Sequence, residues 1–250
     1  MRPLKVRALD CNLILSNSQM LSRTRRERIT AIYTGYTHAL QFSLEGKNDG
    51  VTNMARDIAL LEHAEHGVSG ARIYFWDSVW VTLGRNQKPA DALLDLSIPH
   101  IERPSGGAAV LHGNDLTIGI AMPLADLGCK GREVKKAYRG LVAPILAALN
   151  SVGVPAVLGS ELADRERKDS PYCFAMRADH DILNRETGEK ICGCAMRVTH
   201  QAALLQASIP MSEPLVNPDT ILKEYRPTPI SSFDLGRFKA EFESFWKRVH

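Results

Sequence analysis

Three segments of this chain combine residue types at spacings that could do chemistry. The first is Arg103-Pro104-Ser105-Gly106-Gly107-Ala108-Ala109-Val110-Leu111-His112-Gly113. Adjacent glycines after a strand let the backbone approach a ligand closely, and the N–H groups they expose can hold an anion or a carbonyl oxygen. Arg103 and His112 flank them with a cation and an imidazole; the alternative is an ordinary glycine turn between strands. The second is Glu189-Lys190-Ile191-Cys192-Gly193-Cys194-Ala195, which follows the polar turn Asn184 to Gly188. A lysine opening a strand, with Gly193 three places on, sets an ammonium beside backbone that no side chain covers, suited to clamping a phosphate or an acyl carbonyl. The alternative is a solvated lysine with Glu189 as its surface charge partner. The third is Pro171-Tyr172-Cys173-Phe174, among Arg165, Arg167, Lys168, Arg177 and His180. Cations or an imidazole can lower a thiol's pKa and make Cys173 a nucleophile; the alternative is an inert packed thiol.

Cys192 and Cys194 alternate by two and so face one side of a strand. The other cysteines and histidines form no second compact pair, so these two read as small buried hydrophobes and no metal site is expected. Five cysteines are an odd count, which argues against a disulfide framework and for a reducing compartment, with the cytoplasm as the expected location. The N-terminus lacks the long apolar region of a secretory signal, and the apolar runs are too short to span a bilayer, so no membrane association is expected. A net charge of +3, from 31 basic and 28 acidic residues, is too small an excess to imply nucleic acid. The densest basic run, Arg23 to Arg28, reads as a solvated arm.

The elements that must position these segments follow from periodicity. Residues 1–45 have no clear period and read as an N-terminal extension of uncertain structure; residues 46–250 read as one catalytic domain. Met54, Ile58 and Leu61 fall at helical spacing, so a helix is expected from about Asn53 to His66, capped by Thr52 or Asn53. Aromatic and β-branched residues between Arg72 and Leu83 predict two short strands. A short helix over Ala90 to Leu96 and a strand over Ile98 to Glu102 follow. Ala108 to Leu111 and Leu116 to Met122 predict a hairpin around His112-Gly113-Asn114-Asp115. Ala137, Leu141, Ile145 and Leu149 mark an amphipathic helix over Lys135 to Val152, kinked at Pro144. Strands at Pro155 to Leu158, Ile182 to Leu183, Ile191 to Arg197 and Leu204 to Ile209, a loop over Pro210 to Pro229 and a closing helix over Phe238 to Val249 complete a mixed α/β (α+β) domain.

Four of these segments together resemble the biotin/lipoate protein ligase family, which holds lipoate-protein ligases and octanoyltransferases. Asn53-Met54-Ala55-Arg56-Asp57 is similar to the family's first-helix motif, and Gly84-Arg85-Asn86-Gln87 to its Gly-Arg-x-Gln turn. Arg103 to His112 resembles the Arg-Arg-x-Ser/Thr-Gly-Gly-Gly-Ala-Val-x-His signature, and Lys190-Ile191-Cys192-Gly193 the Lys-Ile/Val-x-Gly signature. Glu102 departs from the first arginine, Ala108 from the third glycine, and Gln206-Ala207-Ser208-Ile209 lacks a glycine common in a later segment. The typical arginine-rich loop of biotin ligases is absent.

The resemblance implies a mainly antiparallel mixed sheet flanked by helices, and the handling of an octanoyl or lipoyl group bound for a lysine of a lipoyl-domain protein, such as an H protein or an E2 subunit. It gives Lys190 the acyl carbonyl, lines the acyl tunnel with Gly106 and Gly107, and makes Arg85, Arg103, Ser105, His112 and Gly193 substrate-binding. Cys173-Phe174 looks like the pair that supplies an acyl-thioester nucleophile in some octanoyltransferases. With a C-terminal accessory domain absent after Pro210, the expectation is an acyltransferase that draws on an acyl carrier protein and needs no cofactor. The alternatives are a lipoate ligase using ATP and magnesium through a lipoyl-adenylate, with Cys173 structural, and a non-catalytic module that captures lipoyl domains.

Overall fold

The computed structural model describes residues 42–161, 181–224 and 231–249. Cys173 and its basic neighbours, and the run Arg23 to Arg28, lie outside the described residues. The described elements are β1 (Phe42–Asn48), α1 (Gly50–Glu65), β2 (Gly70–Trp76), β3 (Trp80–Leu83), α2 (Pro89–Ala92), β4 (His100–Glu102), β5 (Val110–His112), β6 (Asp115–Pro123), α3 (Val134–Ser151), β7 (Ala156–Leu158), β8 (Ile182–Asn184), β9 (Lys190–Val198), β10 (Ala202–Pro210) and α4 (Leu235–Val249). They form a seven-stranded sheet, β1-β2-β6-β10-β9-β8-β7, and a three-stranded one, β4-β3-β5. Among the described strands only the β1/β2 and β3/β4 pairs are parallel, as expected for a mixed, mainly antiparallel architecture. No described helix is long and apolar enough to cross a membrane.

Strand periodicity decides which face of the large sheet carries chemistry. Leu116, Ile118, Ile120 and Met122 of β6, with Ala203, Leu205, Ala207 and Ile209 of β10, pack with Leu141, Ile145 and Leu149 of α3 and Phe238, Phe242 and Trp246 of α4. Burying each such large side chain contributes about 1.5–3 kcal/mol. The alternate residues of the same strands turn to the other face. There Ala121, Ala202 and Leu204 meet Leu60, Leu61 and Ala64 of α1. Further along that face come the polar side chains of Asp115, Thr117, Gln206 and Ser208, all buried.

Three expectations need correcting. α1 begins at Gly50, and its cap is Asp49, whose carboxylate accepts from the Thr52 N–H at 2.6 Å. Thr52 is thus the residue being capped, since a cap side chain reaches the second or third helical N–H beyond it. Second, β5 and β6 do not pair. β5 pairs with β3 in the small sheet, while β6 pairs with β2 and β10 in the large one. Gly113, at φ +125°, lets the chain leave one sheet for the other. Asp115, which reads in sequence as a turn residue, is an interior anion. α3 spans Val134–Ser151 with Pro144 inside it. Third, the strand β1 starts at Phe42, so the boundary drawn at residue 45 passes through it. Its strand character was hidden because it is an edge strand with an irregular exposure pattern.

Described residues after Pro210 pack against the small sheet. Leu222 bridges to Leu93, and Ile221 and Leu222 join the apolar cluster beneath the small sheet.

Candidate active site

The signature segment is held from three sides. Gly84, from the Gly-Arg-Asn-Gln turn, sits so close to it that a Cβ there would stand 1.7 Å from the Gly107 carbonyl oxygen. Only glycine permits that approach. The Arg85 N–H donates to the Ser105 carbonyl at 2.9 Å, while the Arg85 side chain is exposed. Arg103 is buried, and its guanidinium donates to the carbonyls of Thr82 at 3.1 Å and of Gly106 and Ala108 at 2.7 Å each. Its immediate work is therefore to shape the loop that carries Gly106 and Gly107.

Ser105 connects the loop to a buried charge network. Its hydroxyl donates to Gln206 Oε1 at 2.5 Å, and Gln206 Nε2 donates to Asp57 Oδ2, also at 2.5 Å. A carboxylate can only accept, which fixes the amide's orientation and makes the serine the donor. Asp57 also accepts from Arg72 Nη1 at 2.6 Å and from the Tyr74 hydroxyl at 2.8 Å. Arg72 reaches on to Glu45, donating through Nε and Nη2 at 2.8 Å each. Ser43 and Arg56 donate to the same carboxylate. A Cβ at Gly119 would meet Asp57 Oδ1 at 2.7 Å, so the network also needs that glycine.

Burial alone would raise the Glu45 carboxyl, but the hydrogen bonds and charge of Arg72, with Arg56 and Ser43, bring it from the ordinary 4.5 to about 2. A carboxyl depressed by folding contributes stability that is complete above its unfolded pKa and disappears as pH falls toward the folded one. Thermal unfolding followed by circular dichroism should therefore show stability lost between pH 4.5 and 2, with a shallower slope in Glu45→Gln. An unaltered slope in that variant would refute the assignment.

A second network surrounds His112. The Asp115 carboxylate accepts from His112 Nδ1 at 2.8 Å, from Thr117 at 2.8 Å and from Ser208 at 2.6 Å. Burial would push the Asp115 carboxyl up, but the charge and hydrogen bond of His112 and the two hydroxyls hold it below the ordinary range. On its other side, His112 Nε2 lies 2.8 Å from the Thr82 hydroxyl, so the imidazole is held between Asp115 and Thr82. Trp76 stacks on the imidazole with centroids 4.0 Å apart, and its indole N–H donates to Thr117 at 2.8 Å. Arg103, His112 and Gly193 line a small cavity of about 30 Å³ between these networks.

Lys190 opens β9 as expected, but it is buried, and its ammonium lies 2.9 Å from Asp181 Oδ1. Asp181 is its ionic partner in place of Glu189, which is exposed. Cys192 and Cys194 share the face of β9 predicted by alternation, with sulfurs 3.7 Å apart. Burial, then the neighbouring Cys194 thiol, push the Cys192 thiol well up, so it behaves as a packed neutral side chain.

A larger cavity of about 540 Å³ opens along Gly106 and Gly107. Tyr138, Leu158, Cys194, Ala195 and Met196 form its apolar wall, and Lys135 and Arg139 stand on its lining too. That volume lies within the roughly 300–1,000 Å³ of small-molecule sites. Gly106 and Gly107 thus meet this cavity, Arg103, His112 and Gly193 the small one, and Lys190 lines neither. Sequence reasoning missed Asp57, Asp115 and Asp181. The signal for Asp57 was present: it falls on the buried stripe of α1 with Asn53, Met54, Leu60, Leu61 and Ala64. An acid on an apolar stripe must have partners.

The model of the lipoyl protein ligase A/B catalytic domain matches residues 49–233. The chain belongs to this family. An octanoyltransferase LipM of Exiguobacterium sp. is 31% identical to it over 173 residues, 64% of this chain and 61% of that protein. The chain thus spans somewhat less than two thirds of that relative's length. The solved bi-partite lipoate protein ligase of Thermoplasma acidophilum, described with its E2 lipoyl domain, superposes with a TM-score of 0.62 at 15% identity, over 84% of this chain and 82% of that one. A lipoate-protein ligase A bound with ATP gives 0.60 at 19% identity, over 84% of each chain. These two establish a shared fold, and the ligase A/B family architecture accounts for the two sheets and the helices that flank them.

Proposed function

We propose that this chain transfers an octanoyl or lipoyl group to a lysine of a lipoyl-domain protein, an H protein or an E2 subunit, through a thioester on Cys173. The observation that carries the reading is the 540 Å³ cavity that Gly106 and Gly107 line together with residues of β9, the strand that Lys190 opens. It is joined by the likeness to an octanoyltransferase. The Cys173 thiolate attacks the thioester carbonyl of an acyl carrier, forming a new C–S bond, and the carrier thiolate leaves and takes a proton. The acceptor lysine's neutral amine then attacks the Cys173 thioester; the C–N bond forms, the amine loses its proton and the Cys173 sulfur leaves. In both steps an oxyanion develops, and the family resemblance gives its stabilisation to Lys190, which Asp181 holds desolvated at the start of β9, outside the lining of either cavity. Transfer needs no cofactor, and the cytoplasm, where the thiol stays reduced, is its proposed location.

The test incubates the protein with an apo lipoyl domain and either octanoyl carrier protein or octanoate plus ATP and magnesium, and reads the masses of enzyme and acceptor. The expected result is transfer from the carrier alone, an octanoyl adduct on the wild-type enzyme, and loss of both in Cys173→Ala. ATP-dependent labelling that survives Cys173→Ala would replace the transferase with a ligase. Binding of the lipoyl domain with no labelling from any donor would leave a capture module.

A further inference from the structure

The ten residues from Lys130 to Arg139 hold Lys130, Arg132, Lys135, Lys136 and Arg139 against Glu133 alone, more excess positive charge than the +3 of the whole chain. All five cations are exposed. Among the described residues none of them has a carboxylate partner within ion-pair distance. Two use carbonyls: Lys136 donates to Gly128, and Arg132 donates to Val198 at 3.3 Å. Neither bond neutralises charge.

This is a poor arrangement for the helix that bears it. The first turn of α3 carries no acid, and Glu133 at the cap position makes no side-chain capping bond. Cations at a helix N-terminus oppose the positive end of its dipole, and like charges three and four residues apart, as in Lys135, Lys136 and Arg139, repel. Apart from those two carbonyl bonds the fold gains nothing from this cluster, and its charge is left for something that docks on it. Its location says where. Lys135 and Arg139 line the acyl cavity beside Gly106 and Gly107, and half-exposed Val134 lines it with them.

We infer that the N-terminal part of α3 is the landing surface for an acidic carrier protein, the donor that presents its acyl thioester on a phosphopantetheinyl arm. The inference rests on the transfer reading above. The donor is the partner that must pass a whole acyl chain through this mouth into the cavity. A basic rim concentrates an acidic donor there and orients it, an effect on encounter that salt screens.

The test compares two donors on Lys130→Glu/Lys136→Glu, exposed members of the cluster that do not line the cavity: octanoyl carrier protein, and octanoyl-N-acetylcysteamine, a small neutral thioester. Formation of the acyl-enzyme is read by intact mass over time. The double reversal should lower kcat/KM with the carrier by roughly tenfold or more and blunt its dependence on ionic strength. The small thioester should react as with wild type, and Tm should hold or rise, because acids suit a helix N-terminus. Lys47→Glu, on the opposite edge strand of the large sheet, should change neither donor's rate. Unchanged acylation by the carrier would overturn the inference, and equal loss with both donors would overturn it as an effect on the acyl site itself. A defect confined to transfer from preformed acyl-enzyme to the lipoyl domain would overturn it in favour of an acceptor surface. Failure of wild type to react with either thioester would remove the transfer reading together with the docking surface.

Discussion

Lys190→Ala is expected to abolish acyl transfer and to lower stability at the same time, and the two losses can be separated. Removing the ammonium leaves Asp181 buried without its ionic partner. Breaking a buried pair from one side costs about 3–5 kcal/mol, enough to lower Tm by roughly 10 °C or more in a domain of this size. A dead enzyme would then say little, because unfolding alone could explain it. Replacing both partners, in Lys190→Met/Asp181→Leu, removes the uncompensated charge as well as the pair, and such replacements are often neutral or stabilising. The double variant should regain most of the lost Tm and stay inactive, with acylation down by about 10²–10³ or more, the effect of removing one preorganised oxyanion partner. A double variant that both folds and transfers would show that Lys190 serves only the fold. Lys190→Arg tests geometry separately: it keeps the charge but exchanges a compact ammonium for a planar fork that cannot match the same Asp181 contact.

The contrast between Lys190 and its partner shows what the sequence could and could not disclose. A lysine followed three places later by glycine, at the start of an apolar run, is visible in one dimension. Asp181 is not: it comes just before β8, and it meets Lys190 only because β8 and β9 pair antiparallel with Leu183 opposite Lys190. The same holds for His112. Its place after the paired glycines marked it as a candidate, while Thr82 came to it through the pairing of β3 with β5, and Ser208 came to its partner Asp115 through that of β10 with β6. Elements with long, regular apolar spacing were legible, as α3 and the β9/β10 pair are. The β5–β6 connection was misread for a physical reason. A strand, a Gly-Asn-Asp turn and another strand have the local pattern of a hairpin, and nothing local says that the two strands enter different sheets. Cys173 was legible as a motif, and its placement lies outside the described residues.

Asp57→Ala should be the most destabilising single change outside the Lys190 pair, and its effect should reach the signature loop. Asp57 is fully buried and accepts from Arg72, Tyr74 and Gln206. Its removal strips Arg72 of one of its two anions and leaves a phenol and an amide without their acceptor, a loss of about 3–5 kcal/mol by the arithmetic of buried pairs. Urea unfolding should register this as a lower midpoint. The more informative consequence lies in the relay. Without the carboxylate, the Gln206 amide keeps a weak Nε2 contact to Met54 Sδ at 3.5 Å but loses the strong acceptor that fixes which end faces Ser105, so the Ser105 hydroxyl loses an oriented acceptor. Amide exchange at Ser105, Gly106 and Gly107 should then rise more than at the α3/α4 core. Gln206→Met should reproduce that local loosening with a smaller global cost, because it cuts the relay while leaving the Asp57–Arg72 pair in place. If Asp57→Ala lowers global stability but exchange at the loop rises no more than elsewhere, the relay does not position the loop. Asp57 is then only the counter-ion of Arg72. If loop exchange rises in both variants, the buried acid of the first-helix motif and the glycine signature act as one device. In that case the cavity wall at Gly106 and Gly107 is set from α1, through β10, by the side chains of Asp57, Gln206 and Ser105.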